Sequence, residues 1–144
     1  MGDVNAEAAK QLCDEFPTVS FVECDVTKYE DIYRLFRTAL DKYGRIKHAV
    51  SCAGIYEAGN WFDPALSIDT VKDDGGTLKT LDVNVVGTLY FARIATVFLR
   101  EGRKQSEDRS LLLLSSVNAF RESPGLFIYQ VRVDSARRLV LHGN

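Results

Sequence analysis

The chain has 144 residues, of which 46% are hydrophobic and 26% charged, and its 18 basic and 20 acidic residues leave a formal net charge of −2. This composition is typical of one ordinary soluble globular domain. Because positive charge is not in excess and no basic patch dominates the chain, we expect no nucleic-acid partner.

Membrane insertion and secretion are also not expected. The most apolar long stretch, 81–99, is interrupted by Asp82, Asn84 and Arg93, whereas a membrane span needs about 20 largely uncharged residues. The amino terminus carries acidic residues and no apolar segment, so it does not have the pattern of a signal peptide. We therefore predict no membrane partner and a cytoplasmic location.

The cysteine pattern argues against a metal site. Cys13, Cys24 and Cys52 form no C-x-x-C motif and are spaced too widely to indicate zinc binding. We predict reduced, mostly buried thiols that behave as small apolar side chains, and no metal.

Hydrophobic periodicity and turn residues predict alternating helices and strands. Asn5 can cap a helix that Pro17 ends, and Thr27 with Glu30 forms a capping box at the start of the next helix. Gly44 suits the left-handed position just after that helix. The predicted elements are, in chain order, helix 5–16, strand 19–26, helix 28–43, strand 46–52, helix 76–101 and strand 110–116.

This alternation indicates an α/β fold with a parallel sheet. Four consecutive leucines at 111–114 fit a strand that is covered on both faces. In such sheets ligands bind at the carboxyl ends of the strands. Small or polar residues stand at those ends: Asp25, then Ser51 to Gly54, then Ser115 and Ser116. Any one of them alone favours the interpretation as an ordinary turn residue.

Five short motifs, in chain order, resemble those of the short-chain dehydrogenase/reductase family. They are C-D-V-T at 24–27, C-A-G at 52–54, N-V-V-G at 84–87, S-S at 115–116 and Tyr129. The interval 129 − 116 = 13 is the Ser-to-Tyr spacing usual in that family. The sequence is most similar to fungal, NAD-dependent secondary-alcohol members related to hydroxyprostaglandin dehydrogenases.

The resemblance implies a partial Rossmann-like, doubly wound parallel sheet that lacks the first strands and the last strands of the family fold. The family sheet has strand order 3-2-1-4-5-6-7, and the three predicted strands match its third, fourth and fifth. Residues 1–130 would form a partial NAD(P)-binding domain and 131–144 a divergent carboxyl-terminal tail. A homo-oligomer through helix 76–101 is expected, since the corresponding helices pair across family dimers.

A cofactor-binding role is implied for six residues. Asp3 would bind the adenosine ribose hydroxyls and repel the phosphate of NADP, which favours NAD; a turn role beside Asn5 is an equal alternative. Asp25 would contact the adenine amino group beside Val26, and an Asx-type turn is its alternative. The other three form the family's N-A-G turn, with Cys in place of Asn: Cys52, Ala53 and Gly54.

Three catalytic residues are implied for a small alcohol or ketone substrate. The backbone carbonyl of Asn84 would hold a water of the proton relay, unless Asn84 is an ordinary polar helix residue. Ser116 would hydrogen-bond the substrate oxygen, and Tyr129 would exchange the hydroxyl proton during hydride transfer. A phenol has a pKa of about 10, so this Tyr needs a nearby cation. The family supplies a Lys four residues later, but position 133 is Val.

Two departures from the family pattern bear on activity. The T-G-x-x-x-G-x-G turn, whose helix binds the cofactor pyrophosphate, is not found in these 144 residues, and the sequence after Tyr129 no longer resembles the family. We therefore expect a fragment of an NAD(P)-dependent oxidoreductase that is inactive as written. A non-catalytic remnant or dimerisation module is the alternative. A phosphoacceptor switch using Asp25 and Ser116 lacks the clustered carboxylates that bind magnesium.

Overall fold

The computed structural model describes residues 1–72, 78–120 and 124–130. In chain order the elements are β1 (Gly2–Asp3), α1 (Ala6–Glu15), β2 (Val22–Glu23), α2 (Tyr29–Tyr43), β3 (His48–Ser51), α3 (Lys79–Leu81), α4 (Gly87–Arg100) and β4 (Ser110–Leu113). A π-helical segment, Asp82–Val86, joins α3 to α4, and a short 3-10 turn follows β4. The predicted α/β alternation is confirmed, whereas the predicted tail, 131–144, lies outside the described residues.

The strands form two parallel pairs. β1 lies beside β2, and β3 lies beside β4 in a register that runs from His48 opposite Ser110 to Ser51 opposite Leu113. The parallel pairing predicted for the second and third strands is confirmed. β1 is not among the predicted elements: this two-residue strand pairs with β2, and the Asp3 carbonyl accepts the Cys24 N–H at 3.0 Å.

The observed strands are shorter than the predicted ones. Strand 19–26 reduces to β2, because its partner β1 offers only two residues for pairing. Strands 46–52 and 110–116 reduce to β3 and β4, whose common ladder ends after Ser51 and Leu113. Periodicity marks where a chain can be extended, but the length of the neighbouring strand decides how much of it is paired.

The ends of α1 and the end of α2 agree with their predicted signals. Asn5 is the N-cap of α1, and its side chain accepts the N–H of Ala8 at 3.0 Å. After α2, Gly44 takes the left-handed conformation with φ 72°, and its N–H bonds to the carbonyl of Leu40 at 2.7 Å. Gly can hold this conformation without the steric cost that a Cβ adds.

The predicted capping box at the start of α2 is wrong. The N-cap is Lys28, which makes no side-chain cap hydrogen bond. Thr27 instead donates its hydroxyl and its N–H to Oδ1 of Asp25, at 2.7 and 3.0 Å. Because the Thr27 hydroxyl is bonded to Asp25, it does not cap the first turn of α2.

The hydrophobic core lies where α2 and α4 pack together against the strands. Aromatic rings fill the helix–helix contact: the ring of Phe36 lies 5.1 Å from that of Phe91 and 5.4 Å from that of Phe98, measured between centroids. Such ring pairs stabilise a core beyond their buried area. The buried core residues are Cys24, Ile32, Phe36, Ala49, Phe91, Ile94, Ala95 and Leu99.

The leucine strand is covered on one face and not on both. Leu111 and Leu113 pack against the core, but Leu112 is 55% and Leu114 42% exposed. Val50 of β3 is likewise exposed. The prediction of a fully covered strand is wrong for the described residues, because α4 packs on one face of these strands and the alternate side chains point away from it.

The continuous helix Lys79–Arg100 is long and apolar enough, by length and composition, to cross a membrane. The interruptions at Asp82, Asn84 and Arg93 therefore do not by themselves exclude a span. Its packing accounts for its composition, since Phe91, Ala95 and Leu99 are buried in the core beside α2. Core helices of globular proteins have this apolar character.

Candidate active site

A cavity of about 860 Å³ lies between the two strand pairs. Apolar side chains from α2 and α4, including Phe36 and Phe91, form part of its wall, and Lys79 at the start of α3 adds a cation that no motif marked. All six residues predicted to bind a cofactor line it: Asp3, Asp25, Val26, Cys52, Ala53 and Gly54. The fold thus gathers residues from three strand ends at one place, as parallel strands do.

Asp3 has one oxygen in a turn and one available. Its Oδ1 accepts the N–H of Asn5 at 2.9 Å, immediately before α1. This hydrogen bond places Asp3 in a turn beside Asn5, which was the alternative to a cofactor-binding role. Its Oδ2 makes no hydrogen bond among the described residues, so the exposed carboxylate can still accept a hydrogen bond from a ligand hydroxyl.

Asp25 forms the Asx-type turn that was its alternative role. Besides Thr27, its carboxylate has Lys28 nearby, with Nζ 3.7 Å from Oδ2. The hydrogen bonds from Thr27, and then the charge of Lys28, hold the pKa of Asp25 below its usual value of 3.8. The carboxylate of Asp25 is therefore ionised at neutral pH and can only accept hydrogen bonds. An adenine amino group is a donor that it can accept from, and that contact stays a prediction.

Gly87 explains why the N-V-V-G motif ends in glycine. A Cβ at this position would lie 2.9 Å from Cγ2 and 3.0 Å from the carbonyl oxygen of Val26. The first distance is shorter than real Cβ contacts and the second is tighter than most of them, so a Cβ here would push this helix away from the segment that follows β2. The close packing holds Val26 beside the cavity and fixes the helix that carries Asn84.

The three cysteines are unpaired, as expected, but they are not all buried. Cys24 is buried in the core, where burial and then the nearby charge of Asp31 raise the pKa of its thiol to about 11. Cys13 is half-buried, and Cys52 is exposed directly after β3. Cys52 departs from the prediction because it leaves the ladder at the strand end that borders the cavity. In the described part of the chain, no group of three His, Cys, Asp or Glu residues could hold a metal ion.

Asn84 is more than a polar helix residue. It is 1% exposed, in the π-helical segment, and uses both ends of its side-chain amide on Ile55. Oδ1 accepts the Ile55 N–H at 2.8 Å, and Nδ2 donates to the Ile55 carbonyl at 2.6 Å. Its backbone carbonyl accepts the hydroxyl of Thr88 at 2.8 Å.

Tyr129 lies on a helical turn, 127–130, and is buried. Its backbone N–H donates to Oε2 of Glu57 at 2.6 Å. Its ring lies 4.6 Å from the ring of Tyr56, with 32° between the planes. The helical setting that the Tyr chemistry requires is present, whereas Arg132 and Val133 lie outside the described residues.

Ser116 lies in extended backbone just beyond β4, and its Oγ accepts the N–H of Asn118 at 3.3 Å. Ser116 follows Leu113 by three residues, as Gly54 follows Ser51, and Leu113 pairs with Ser51. Because β3 and β4 are parallel, Ser116 and Gly54 leave the sheet at the same edge.

Besides Lys79, Glu57 and Thr88 were not predicted. Glu57 lies in an irregular segment, and no local pattern marks it. Thr88 stands four residues after Asn84 on a helix, the spacing at which a hydroxyl bonds back to a carbonyl, so its contact could have been expected.

Comparison with known proteins identifies the family. Residues 1–134 match the family model described as enoyl-(acyl carrier protein) reductase. The 11-beta-hydroxysteroid dehydrogenase A of Sesamum indicum is 30% identical over 86% of this chain and 32% of its own length. The 3-hydroxyacyl-CoA dehydrogenase type-2 of Drosophila melanogaster is 30% identical over 85% of this chain and 47% of its own.

Solved structures have the same fold. The crystal structure of gox2181 superposes with a TM-score of 0.77 at 18% identity, over 96% of this chain and 52% of that one. A 7 alpha-hydroxysteroid dehydrogenase complexed with NADH and 7-oxo glycochenodeoxycholic acid gives a TM-score of 0.76 at 20% identity, over 96% and 51%. The chain thus spans about a third to a half of the length of these relatives. From the family match over residues 1–134 and the shared fold, this chain belongs to the short-chain dehydrogenase/reductase family.

Proposed function

We propose that the chain provides catalytic groups and the adenosine end of a site that transfers hydride between NAD and a small alcohol or ketone. The observation that carries this proposal is that all six predicted cofactor residues stand at the carboxyl ends of β1, β2 and β3, where they line one cavity. Members of this family are oxidoreductases. We propose that the substrate is a small alcohol or ketone and the cofactor NAD. We also propose a domain at 1–130 followed by a divergent tail, and a cytoplasmic location.

The cavity residues fit the adenosine part of a nicotinamide dinucleotide. Oδ2 of Asp3 is available to accept from ribose hydroxyls, and the ionised carboxylate of Asp25 can accept from an amino group. A carboxylate at position 3 would repel the extra phosphate of NADP, and this favours NAD. The related solved structures include one with NADH and one with NADP bound, so the preference rests on Asp3.

In the proposed reaction, three residues act at the substrate hydroxyl group. The Ser116 hydroxyl donates to the substrate oxygen, and Tyr129 accepts the hydroxyl proton in the oxidation direction. The backbone carbonyl of Asn84 holds a water that passes the proton onward. The bound cofactor supplies the hydride acceptor at the carbon of the same C–O bond.

We propose further that the 144 residues alone do not turn over. A phenol needs a fixed cation to ionise near neutral pH, and the sequence has Val133 where the family has Lys. The sequence also contains no glycine-rich turn to bind the pyrophosphate. Oxidoreduction is therefore proposed for a completed chain, which has a family β-α-β unit ahead of Met1 and a family carboxyl-terminal segment with Lys at 133.

A non-catalytic dimerisation module is the second candidate, and the outer face of α4 favours it. Leu89 and Val97 are both exposed there, although neighbouring residues of α4 are buried in the core. In that case the chain self-associates through helix 79–100. Because family oxidoreductases are also expected to pair through this helix, sedimentation of the chain and of its Val97→Glu variant tests the interface alone. Self-association that Val97→Glu removes, together with a completed chain that does not turn over, would favour the dimerisation module.

Spectrophotometric NADH formation by the completed chain, with a panel of secondary alcohols, tests the catalytic proposal. Tyr129→Phe removes the proton acceptor and is expected to lower the rate by about 10²- to 10⁴-fold. Ser115→Ala, at the neighbouring exposed serine, is the control and should leave the rate within about twofold. A Tyr129→Phe variant as fast as its parent would show that another group carries the proton.

A further inference from the structure

The segment Ile55–Glu57 connects two of the proposed catalytic residues. At one end, the Asn84 side chain holds the backbone of Ile55 through two hydrogen bonds. At the other end, Glu57 accepts the backbone N–H of Tyr129, and between them the ring of Tyr56 lies against the ring of Tyr129. Three consecutive residues thus contact both Asn84 and Tyr129, which are 45 positions apart in the sequence (129 − 84 = 45).

Glu57 is an unusual side chain for this location. It is 7% exposed, and its Oε2 lies 2.6 Å from the Tyr129 nitrogen. Its Oε1 is buried and has no hydrogen-bond partner among the described residues. Burying a carboxylate with one oxygen unpaired is unfavourable, so the bond to Tyr129 must offset part of that cost.

The need for an acceptor follows from where Tyr129 lies. The described helical turn begins at residue 127, and the first N–H groups of a helix have no partner within the helix. The N–H of Tyr129 belongs to this group. A carboxylate is a strong acceptor for it, because a charge-assisted hydrogen bond is shorter and stronger than a neutral one.

We propose that Glu57 is a positioning residue for Tyr129. It fixes the backbone of Tyr129 while Tyr56 fixes the ring, and Asn84 fixes the segment that carries both contacts. The phenol of Tyr129 therefore holds a defined place relative to the Asn84 carbonyl. The catalytic meaning of this arrangement rests on the proposed function, whereas the arrangement itself does not.

Substitutions at Glu57 separate acceptor geometry from charge. Glu57→Gln keeps an oxygen at the distance needed for the Tyr129 N–H and removes the charge. Glu57→Ala removes the acceptor, and Glu57→Asp keeps the charge but shortens the reach by one methylene. Glu15→Ala makes the same chemical change at an exposed position near the end of α1 and is the matched control.

NMR-detected hydrogen exchange of the Tyr129 amide in the 144-residue chain is the first measurement. Losing one hydrogen bond at this amide should raise its exchange rate about tenfold in Glu57→Ala and Glu57→Asp. In Glu57→Gln and Glu15→Ala the rate should stay within about threefold. With 3-fluorotyrosine at position 129, the ¹⁹F resonance should shift in the Ala and Asp variants and remain in place in the Gln variant.

The second measurement uses the completed chain. Glu57→Ala should lower kcat about tenfold with KM within about twofold, since misplacing a catalytic group affects the reaction more than binding. Glu57→Gln should restore kcat and leave the pH profile unchanged. A shifted pH profile in Glu57→Gln would overturn the positioning role, because the charge of Glu57 would then act on the phenol directly.

The two proposals fail in different ways. Unchanged exchange and an unchanged ¹⁹F resonance in both Glu57→Ala and Glu57→Asp would overturn the role of Glu57. If only one of these variants folds, the other still decides. Altered exchange that Glu57→Gln rescues, together with a completed chain that never turns over, would refute the proposed function and leave Glu57 as the residue that positions Tyr129.

Discussion

Asn84 uses both a donor and an acceptor on one residue, and this explains why an amide is needed at its position. Nδ2 donates to the Ile55 carbonyl, and Oδ1 accepts the Ile55 N–H. A carboxylate of the same size has no donor when ionised. Asp25, in contrast, works as an acceptor only, toward the N–H and hydroxyl of Thr27.

Asn84→Asp is expected to lower the free energy of unfolding by about 1 to 3 kcal/mol. It leaves the Ile55 carbonyl without its donor and introduces a buried charge. Urea denaturation followed by circular dichroism measures the change. Asn60→Asp is the control, because exposed Asn60 only accepts, from the N–H of Phe62, and it should change stability little. Equal effects at both positions would show that the two hydrogen bonds between Asn84 and Ile55 do not stabilise the fold.

Asp25→Asn is expected to make stability less dependent on pH at the acid end. The folded-state pKa of Asp25 lies below 3.8, so its carboxylate stabilises the fold above that pH, and the contribution disappears as pH falls through the folded pKa. Wild type should therefore exceed the variant at pH 7 and approach it in acid. The difference should stay below about 1 kcal/mol, because Asp25 is partly exposed. A gap that widens as pH falls would have the wrong sign.

The helices were predictable from local sequence, and the strands only in part. Asn5, Pro17 and Gly44 mark helix ends through interactions within a few residues, and the helix boundaries follow them. A strand end depends on a partner far along the chain, so periodicity alone gave β2, β3 and β4 too many residues. The π-helical segment 82–86 carried no local signal, and it coincides with two tertiary contacts, those of Asn84 with Ile55 and of Gly87 with Val26.

Gly87→Ala is expected to destabilise the fold by about 1 to 3 kcal/mol, since the added Cβ would overlap Val26. Val26→Ala in the same chain should restore part of the loss, because it removes Cγ2 but not the carbonyl oxygen. A double-mutant cycle of unfolding free energies measures this coupling. Additive losses at the two positions would show that they do not contact each other.

Phe36→Ala is expected to lower the free energy of unfolding by about 3 to 5 kcal/mol, because it removes a buried ring from the contact between α2 and α4. Tyr33→Ala, at an exposed ring of the same helix beside Phe98, is the control and should cost less than half as much. Thermal and urea unfolding of both variants provide the comparison. Similar losses of unfolding free energy in the two variants would show that the ring of Phe36 is not a central part of the core.

Across the whole molecule, the cavity separates the β1–β2 pair from the β3–β4 pair. The core beside α2 and α4 connects the two pairs, with Cys24 at one and Ala49 at the other. The motifs marked six of the residues that line the cavity, and a cofactor-binding role for them stays a prediction. The cavity itself, and the contact between Glu57 and Tyr129, depend on the packing of distant segments and could not be predicted from local patterns.

Isothermal titration calorimetry with NAD tests most directly whether this chain supplies one part of a divided cofactor site. The 144-residue chain should bind NAD more weakly than about 1 mM, or about −4 kcal/mol, because its cavity has carboxylates for the adenosine but the sequence has no glycine-rich turn for the phosphates. The completed chain should bind in the micromolar range and prefer NAD to NADP, and Asp3→Ala should reduce that preference. Micromolar binding by the 144-residue chain, or a completed chain indifferent to Asp3→Ala, would contradict this division.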